Sequence, residues 1–416
     1  MPRIPAVYRS PPKIASTYGD FFSTLLGATR SDSYGPYMTI TPTITDTFLD
    51  RAAAVGRSIA PHAERHDRDG TFVAEAVDLL RDAGLLAMGV PAELGGGGAS
   101  IAEVAAVQRE LGHHCGSTAL GTAMHQHVVA FTAWRYRRGL PGAEATLRRG
   151  ADEGIMLVST GGADQTHPRG EAVRVDGGYR VSGRKVFCSQ SPAGAAMSTM
   201  FAFEDPEQGL RVLNMAVPLS ADGVTVLDDW DVLGMRGTGS NSVVIKDVFV
   251  PEDKVLANRP HGVIDGPLQV IFSIAFPIIT AAYLGVAEAA YAAALESVGA
   301  RRDDALVQRQ VGLMADRLRV AGWALDGAIA AVGDDPQPSM DLVADVMAAK
   351  REVALAGIEV CDLAMDVAGG AAFSKGSVVE RCYRDIRAIK CHPLSLEKTL
   401  VHAGRVALGV PADDIL

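Results

Sequence analysis

The pattern of apolar and polar positions changes twice along the chain. Up to about residue 150, apolar residues recur at the spacing that is typical of amphipathic helices. The first predicted helix carries one stripe formed by Phe48, Leu49, Ala52, Val55 and Ile59. Thr45 or Asp46 is predicted to cap that helix. Further helices are predicted over residues 73–83, from residue 100 onward and across residues 123–131.

Between residues 151 and 258 the pattern becomes one of short, β-branched segments separated by turn residues. The sequence Asp176–Gly177–Gly178 lies between two such segments and predicts a hairpin. From residue 259 the chain returns to long helical patterns rich in Ala, Leu and Val. A block of strands between two blocks of helices excludes a Rossmann-type fold, because strands and helices alternate in that fold.

We therefore predict an α+β fold. Its parts are an N-terminal helical domain over residues 41–150, a middle β-barrel or sandwich domain over residues 151–258, and a C-terminal four-helix-type domain over residues 259–416. Residues 1–40 have no periodic apolar face and no assembled signal-peptide pattern, so we expect a flexible N-terminal extension. The most apolar stretch, residues 270–290, is interrupted by Pro277, Gly285 and Glu288. It is predicted to be a buried core helix and not a membrane span.

Composition and charge narrow the class of protein. The net charge of −10 at pH 7 argues against a nucleic-acid partner, which needs a basic face. The five cysteines form no CxxC pair, so reduced thiols in the cytoplasm are expected. Neither cysteines nor carboxylates are spaced to complete a metal site with the histidines, and none is predicted.

Four segments, taken in order, resemble the acyl-CoA dehydrogenase superfamily. They are VSGRKVFCSQ at 181–190, WDVLGMRGTGSNSVVIKDVFVP at 230–251, FPIITAAYLGVAEAA at 276–290 and DVAGGAAFSKGSVVERCYRDIRA at 366–388. From about residue 42 to the C-terminus the chain is identified as a member of that superfamily. The resemblance implies an oxidoreductase with a flavin cofactor, either FAD or FMN, and a small-molecule substrate.

A flavin ring needs hydrogen-bonding groups on a rigid wall and an apolar cover. Phe187, Cys188 and Ser189 are candidates for that cover and for an edge hydroxyl. Thr238 is predicted to lie beside the cofactor, and Arg236 is a candidate contact for a phosphate or a carboxylate. In the family, the turn that corresponds to Gly369–Gly370 meets the flavin of a neighbouring subunit. A homo-oligomer, most simply a tetramer, is therefore expected.

Two departures from the dehydrogenase pattern concern the catalytic base and the phosphate site. The glutamate that removes the substrate α-proton in dehydrogenases falls here on Pro393, after His392, and the alternative position lies near Ala275 and Phe276. Glu397, one helical turn further on, is a possible substitute. The aromatic residue that helps to bind the FAD pyrophosphate is replaced by Val298, with Arg301 and Arg302 nearby but out of register.

These departures resemble the two-component flavin monooxygenases of the same fold, such as dibenzothiophene monooxygenase. That branch has a histidine at the position of His392 and the sequence FCS at Phe187–Ser189. It also has a histidine near His125 and His127, of which at most one can face the site because they lie two residues apart on a helix. The resemblance makes His392, Ser189 and His125 the candidate catalytic residues. His113 and His114 are interpreted as helix-capping residues.

Three interpretations remain. The favoured one is a monooxygenase that takes reduced flavin from a separate flavin reductase and uses O2 on a small organic substrate. The alternative is an acyl-CoA or carrier-bound acyl dehydrogenase that uses FAD, a non-standard base and an electron-transfer flavoprotein. A flavin-fold protein without catalysis, acting as a binding or assembly subunit, is the third.

Overall fold

A computed structural model describes residues 47–413. The predicted N-terminal extension, residues 1–40, lies outside the described part. In the described part the chain begins and ends in helices and has a block of strands between them, as the sequence pattern predicted. The first helices are α1 Phe48–Asp69, α2 Glu75–Asp82, α3 Ile101–His114, α4 Gly116–Arg137 and α5 Ala143–Glu153.

The strand block forms a single eight-stranded sheet. Its strands are β1 Met156–Ser159, β2 Glu171–Val175, β3 Gly178–Lys185, β4 Gly194–Asp205, β5 Gly209–Pro218, β6 Val224–Val226, β7 Val243–Pro251 and β8 Val255–Pro260. The order is β6-β7-β3-β2-β4-β5-β8, and β1 pairs in parallel with β4. The predicted hairpin is confirmed, because Val175 pairs with Gly178 across the turn between β2 and β3.

The C-terminal helices are α6 Gly266–Ser297, α7 Ala305–Val332, α8 Met340–Ala368, α9 Val378–Asp385 and α10 Leu396–Leu408. Helix α6 packs against α3, α4, α7 and α8. It is the one helix of the described residues that is long and apolar enough to cross a membrane, and 94% of its apolar window is buried inside the protein. The prediction of a buried core helix at this place is confirmed.

The cap of α1 differs from the prediction. Thr47, and not Thr45 or Asp46, caps the helix: its side chain accepts the backbone N–H of Asp50, and the Asp50 carboxylate accepts the N–H of Thr47. A reciprocal box of this kind needs an acceptor three residues after the cap. Phe48 and Leu49 would stand at that position for the two predicted caps, and neither has an acceptor.

Two glycines allow α3 and α6 to touch through their backbones. A methyl group at Gly112 would lie 2.6 Å from the carbonyl oxygen of Ala282, and one at Gly285 would collide with the carbonyl of Arg109.

We expect Gly285→Ala to destabilise the protein by about 1–3 kcal/mol, because two packed helices must separate. Gly312→Ala is the matched control. It lies in α7 with open space around it, so the added helix propensity should stabilise by up to about 1 kcal/mol. Chemical denaturation of both variants checks the prediction, and equal effects of the two substitutions would contradict it.

Candidate active site

Three loops from distant parts of the chain lie side by side. The first loop is residues 159–162 after β1, the second is residues 186–190 after β3, and the third is residues 391–394 before α10. A methyl group at Gly162 would lie 3.2 Å from the carbonyl oxygen of Pro393, and one at Gly161 would lie 3.7 Å from the ring of Phe187. The glycines of the first loop therefore border both other loops.

The first loop is held by a buried ion pair. Lys185, 0% exposed at the end of β3, donates to the carboxylate of Asp164 at 2.8 Å and to the carbonyl oxygen of Arg169 at 2.5 Å. The same carboxylate accepts the backbone N–H of Arg169 at 3.3 Å. These contacts connect the short 3-10 turn that follows the first loop to the strand that leads into the second.

The first loop also carries a hydroxyl without a partner. Ser159 is 5% exposed, and its Oγ has no hydrogen-bond partner among the described residues. Buried polar groups are normally paired, so an unpaired one in this loop is a candidate contact for a polar ligand. Sequence reasoning missed Ser159. The available signal was the change from the apolar strand residues 156–158 to two hydroxyl residues followed by Gly161–Gly162.

The second loop exposes an aromatic ring. Phe187 has a φ of 57°, uncommon for a residue other than glycine, and is 57% exposed. Its ring lies edge-on to that of Trp230 at 5.9 Å. Sparsely populated backbone conformations of this kind are concentrated at functional sites. A flat apolar surface that faces outward next to a pair of glycines suits a planar ligand.

Cys188 does not share that exposed surface. Its side chain is 0% exposed and packs in the core of the sheet domain, where burial raises the pKa of the thiol to about 12. Its backbone N–H donates to the carbonyl of Asn241, and its carbonyl accepts the N–H of Ser191. The structure thus gives Cys188 a packing position, in contrast to its predicted contact with the cofactor. Of its two neighbours, Phe187 is exposed, whereas Ser189 is also buried, at 7% exposed.

Ser189 ends a chain of three hydroxyls. Thr238 donates to the carbonyl oxygen of Met235 at 3.0 Å, and Ser240 lies 2.7 Å from Thr238 and 2.9 Å from Ser189. Because each hydroxyl donates one hydrogen, Ser240 donates to Thr238 and Ser189 donates to Ser240. The lone pairs of Ser189 Oγ are then free to accept a hydrogen bond. Thr238 is 1% exposed and supports Ser189, so the structure does not place it on the cofactor surface.

Arg236 has partners within the chain. Its Nε donates to the carbonyl of Asp67 at 2.7 Å, and one terminal nitrogen donates to the carbonyl of Val232 at 2.8 Å and to Asp231 at 3.3 Å. It borders a cavity of about 250 Å³ lined by Asp69, Gly70, Asp228, Asp229, Trp230 and Asp231. Four carboxylates around one guanidinium disfavour an anion, so the predicted phosphate contact is not supported. Arg236 instead connects the end of α1 to the 230–238 segment.

His392 in the third loop is half-buried, and the hydroxyl of the fully buried Tyr283 lies 3.2 Å from its Nδ1. Burial raises the pKa of Tyr283 well above its usual value, so the phenol stays protonated. Its buried O–H has no other acceptor among the described residues, so it donates its hydrogen bond to Nδ1. Burial, with smaller contributions from Lys350 and His127, lowers the pKa of His392 to about 4. At neutral pH His392 is thus an uncharged imidazole whose hydrogen is on Nε2.

His125 and His127 have different surroundings on α4. Both ring nitrogens of His125 are engaged: Nδ1 accepts the N–H of Leu157 at 3.0 Å and Nε2 donates to the carbonyl of Leu86 at 2.8 Å. Burial lowers its pKa to about 4. His125 therefore connects α4 to β1 and has no nitrogen left for chemistry, in contrast to its predicted catalytic role. His127 has a hydrogen bond between Nδ1 and the carbonyl of Ala123, and burial lowers its pKa to about 4, so it is uncharged at neutral pH. Of the two histidines, it is the one that affects the pKa of His392.

Two other predicted groups lie on the surface of a single chain. A methyl group at Gly369 or Gly370 would meet no atom within 4 Å, and Phe373, in the same turn, is 84% exposed. Glu397 is exposed in the first turn of α10.

Three family models match the chain in order. The acyl-CoA dehydrogenase N-terminal domain matches residues 47–136, the middle domain matches residues 159–248 and the C-terminal domain matches residues 277–395. Together they cover more than half of the chain. The chain belongs to the acyl-CoA dehydrogenase family. The superfamily predicted from the four motifs is confirmed.

Relatives in this family carry different activities. The chain is 29% identical over 380 residues to the putative acyl-CoA dehydrogenase YdbM of Bacillus subtilis (strain 168), covering 85% of this chain and 94% of that protein. It is also 29% identical to the probable FMNH2-dependent monooxygenase SfnC of Pseudomonas putida, covering 82% and 91%. An X-ray structure of KijD3 in complex with FMN and dTDP-3-amino-2,3,6-trideoxy-4-keto-3-methyl-D-glucose superposes with a TM-score of 0.80 at 28% identity, covering 88% and 94%.

His113 and His114 are ion-pair partners and not the predicted caps. His113 lies 2.8 Å from Glu288 on α6 and 3.4 Å from Glu110, and His114 lies 3.1 Å from Glu110. Burial disfavours the charged form of His113, but the two carboxylates outweigh it and raise its pKa to about 9. The group stays protonated at neutral pH and bridges α3 and α6.

The ion pairs of His113 make the stability of the fold depend on pH. Because the pKa of His113 is higher in the folded state, its contribution to stability is complete below the unfolded value of about 6.5 and is lost as pH rises through about 9. We expect His113→Gln to lower the melting temperature at neutral pH and to flatten its decline between about pH 7 and 9. Thermal melts over that range test this. His62→Gln, at a half-buried position on α1, is the control. An unchanged slope in His113→Gln would contradict the assignment.

Proposed function

We propose that this chain is a monooxygenase that binds reduced FMN from a separate flavin reductase and uses O2 to oxidise a small organic substrate. It is a flavin-dependent oxidoreductase of the acyl-CoA dehydrogenase superfamily. The observation that carries the proposal is the third loop, where the uncharged His392 and Pro393 stand in place of a carboxylate base. The other position for that base is near Ala275 and Phe276, which have no ionisable group.

The three loops fit a flavin. Phe187 supplies an exposed apolar face, and Gly161 and Gly162 leave room for close approach to the backbone. Ser159 has a buried hydroxyl without a partner among the described residues, and Ser189 has an oxygen free to accept a hydrogen bond. These residues would hold the ring. When bound, the flavin supplies the electrons that activate O2.

FMN suits the chain better than FAD. Arg236 is bound to carbonyl groups and lies among carboxylates, and Val298 replaces the aromatic residue of the pyrophosphate site. A second phosphate and an adenosine would find few partners in either place. The FMN-containing structure of KijD3 and the FMNH2 dependence ascribed to SfnC support the same choice. Weak retention of a mononucleotide is also what exchange with a reductase requires.

His392 would donate a hydrogen bond in the site without carrying a charge. Tyr283 fixes the tautomer by donating to Nδ1, so Nε2–H faces away from Tyr283 as a hydrogen-bond donor. With a pKa of about 4, the imidazole carries no charge at neutral pH. A neutral donor that is held in one orientation can position the oxygen atom that is transferred, and it excludes a competing charge from the cleft.

The assembly is proposed to be a homotetramer in the cytoplasm. The Gly369–Gly370 turn and the exposed Phe373 present an open surface on the single chain. The motif that contains this turn resembles the segment that completes a neighbouring subunit's flavin site in the family. A flavin reductase is the expected partner, since the monooxygenase reaction needs an external source of reduced flavin.

An acyl-CoA dehydrogenase is the second candidate, and the relationship to YdbM, a putative enzyme of that type, favours it. Such an enzyme needs a base within reach of the substrate α-proton. Of the carboxylates near the three loops, Asp164 is paired with Lys185 and Glu397 lies exposed on α10. The dehydrogenase would therefore require a base from outside these loops.

One experiment distinguishes the two. The purified protein is titrated without oxygen with oxidised FMN, with reduced FMN, and with FAD plus a panel of acyl-CoA thioesters. We expect reduced FMN to bind more tightly than oxidised FMN. When labelled O2 is then added to the complex with reduced FMN and an amine or thioether substrate, we expect one labelled oxygen atom in the product. Bleaching of bound FAD by an acyl-CoA thioester in the absence of oxygen would overturn the proposal in favour of the dehydrogenase.

A further inference from the structure

A lysine lies buried behind the third loop, and the described residues provide no ion-pair partner for it. Lys350, on α8, is 0% exposed, and its ammonium donates to the carbonyl oxygen of Leu394 at 2.6 Å. Among the described residues no carboxylate lies within ion-pair distance of it. Burying an ammonium without a counter-ion costs several kcal/mol, so a methionine would satisfy the packing of α8 at a lower cost. The charge therefore calls for a role other than packing.

The position of Lys350 suggests that role. Leu394 is two residues after His392, so the hydrogen bond to its carbonyl fixes the short loop that carries the imidazole. A second hydrogen bond comes from α6, where Tyr283 donates to His392 Nδ1. Helices α6 and α8 pack directly against each other. His392 is thus held from two helices, by a hydrogen bond to its ring and by one to its own backbone segment.

We propose that Lys350 is a positioning residue whose hydrogen bond to Leu394 fixes the third loop and whose charge lies behind the segment that carries His392. The titratable and charged groups that act on this pair are His127 from α4, Tyr283 from α6, Arg351 beside Lys350 on α8, and Cys391 within the loop. After burial itself, Lys350 has a larger effect on the pKa of His392 than His127 has. A fixed positive charge opposes a second one on the neighbouring ring.

Burial also lowers the pKa of Lys350 to about 8, so it is still mainly charged at neutral pH. The ammonium has three donors, and one is on Leu394. A neutral side chain of the same length would keep the packing but remove the charge. An arginine would keep the charge, because its guanidinium does not lose its proton in proteins. These two substitutions separate the charge from the space that it fills.

The test is the protonation of His392 itself, followed by NMR of the full-length protein labelled at histidine. The His392 signal is assigned by its loss in His392→Asn. In Lys350→Met we expect His392 to take up its proton about one pH unit higher than in the wild type, a change of about tenfold in its proton affinity. Lys350→Arg should keep the wild-type value. Lys398→Met, which removes an exposed charge from α10, is the matched control and should change nothing.

The readings of this experiment are distinct. A folded Lys350→Met protein in which His392 titrates as in the wild type would overturn the proposal. If Lys350→Met and Lys350→Gln both fail to fold while Lys350→Arg folds with the wild-type titration, Lys350 serves the fold alone and the proposal is also overturned. The role of His392 in turnover rests on the proposed function, but its titration does not. A shifted titration without oxygenation of any substrate would therefore contradict only the proposed function.

Discussion

Replacing His392 by alanine should reduce turnover by about 100-fold or more, because the loss of one positioned hydrogen-bond donor to the reacting oxygen costs on that scale. Its Nδ1 receives a hydrogen bond from the buried Tyr283, and its low pKa leaves Nε2–H as a neutral donor. FMN binding and the melting temperature should change little, since the ring is half-buried and makes one hydrogen bond within the chain. The measurements are the rate of oxygenated product formation with saturating reduced FMN, and the affinity for FMN.

The control for His392→Ala is Glu397→Gln. Glu397 lies on the surface of α10, one helical turn from the third loop, and it is the nearest carboxylate in sequence to the missing dehydrogenase base. Its replacement should leave turnover unchanged. The opposite pattern, with near-normal turnover in His392→Ala and none in Glu397→Gln, would remove the main support for the monooxygenase. A dehydrogenase with a relocated carboxylate base would then explain the data better.

The sequence predicted the fold well because the relevant signals are local. Helical periodicity, turn residues and the order of the blocks depend on neighbours a few positions apart. The cap of α1 was wrong by one residue at least, although its signal is also local. Thr47 has Asp50 three residues later, and that pairing distinguishes it from Thr45 and Asp46.

The site was harder to predict because its partners come from distant parts of the chain. Resemblance could place His392 and Ser189 in the right loops, but it could not show where the polar atoms of Arg236 find acceptors. The carbonyl that engages Arg236 belongs to Asp67, 169 positions away. The helical period of α4 says that His125 and His127 face different ways, yet only packing against Leu86 and β1 decides which one faces inward.

Lys350 and Ser159 illustrate what the sequence did not reveal at all. A lysine in a helix reads as an exposed residue, because lysine is almost never fully buried without a partner. A serine at the end of a strand reads as a turn residue. Lys350 becomes a candidate only when its burial and its lack of an ion-pair partner among the described residues are known. Ser159 becomes one only when its buried hydroxyl is seen to lack a hydrogen-bond partner there.

The buried ion pair below the first loop differs from its neighbour on the same strand. Lys185 and Asp164 are 0% and 8% exposed at a distance of 2.8 Å, whereas Arg184 and Asp229 are 59% and 33% exposed at the same distance. Exposed pairs contribute little because water screens them. Removing one member of a buried pair leaves an uncompensated charge in the interior. Lys185 and Arg184 therefore allow the effect of burial on the strength of an ion pair to be tested at the same pair distance.

Lys185→Met should lower the free energy of unfolding by about 3–5 kcal/mol, because Asp164 stays buried without its partner. Arg184→Met should change it by no more than about 1 kcal/mol. Adding Asp164→Asn to Lys185→Met removes the orphaned charge and should recover part of the loss. Because Asp164 and Lys185 together hold the turn after the first loop, Lys185→Met should also weaken FMN binding where the protein remains folded. Chemical denaturation of the three proteins and an FMN titration measure these effects. Equal destabilisation by Lys185→Met and Arg184→Met would mean that the pair does not anchor the first loop.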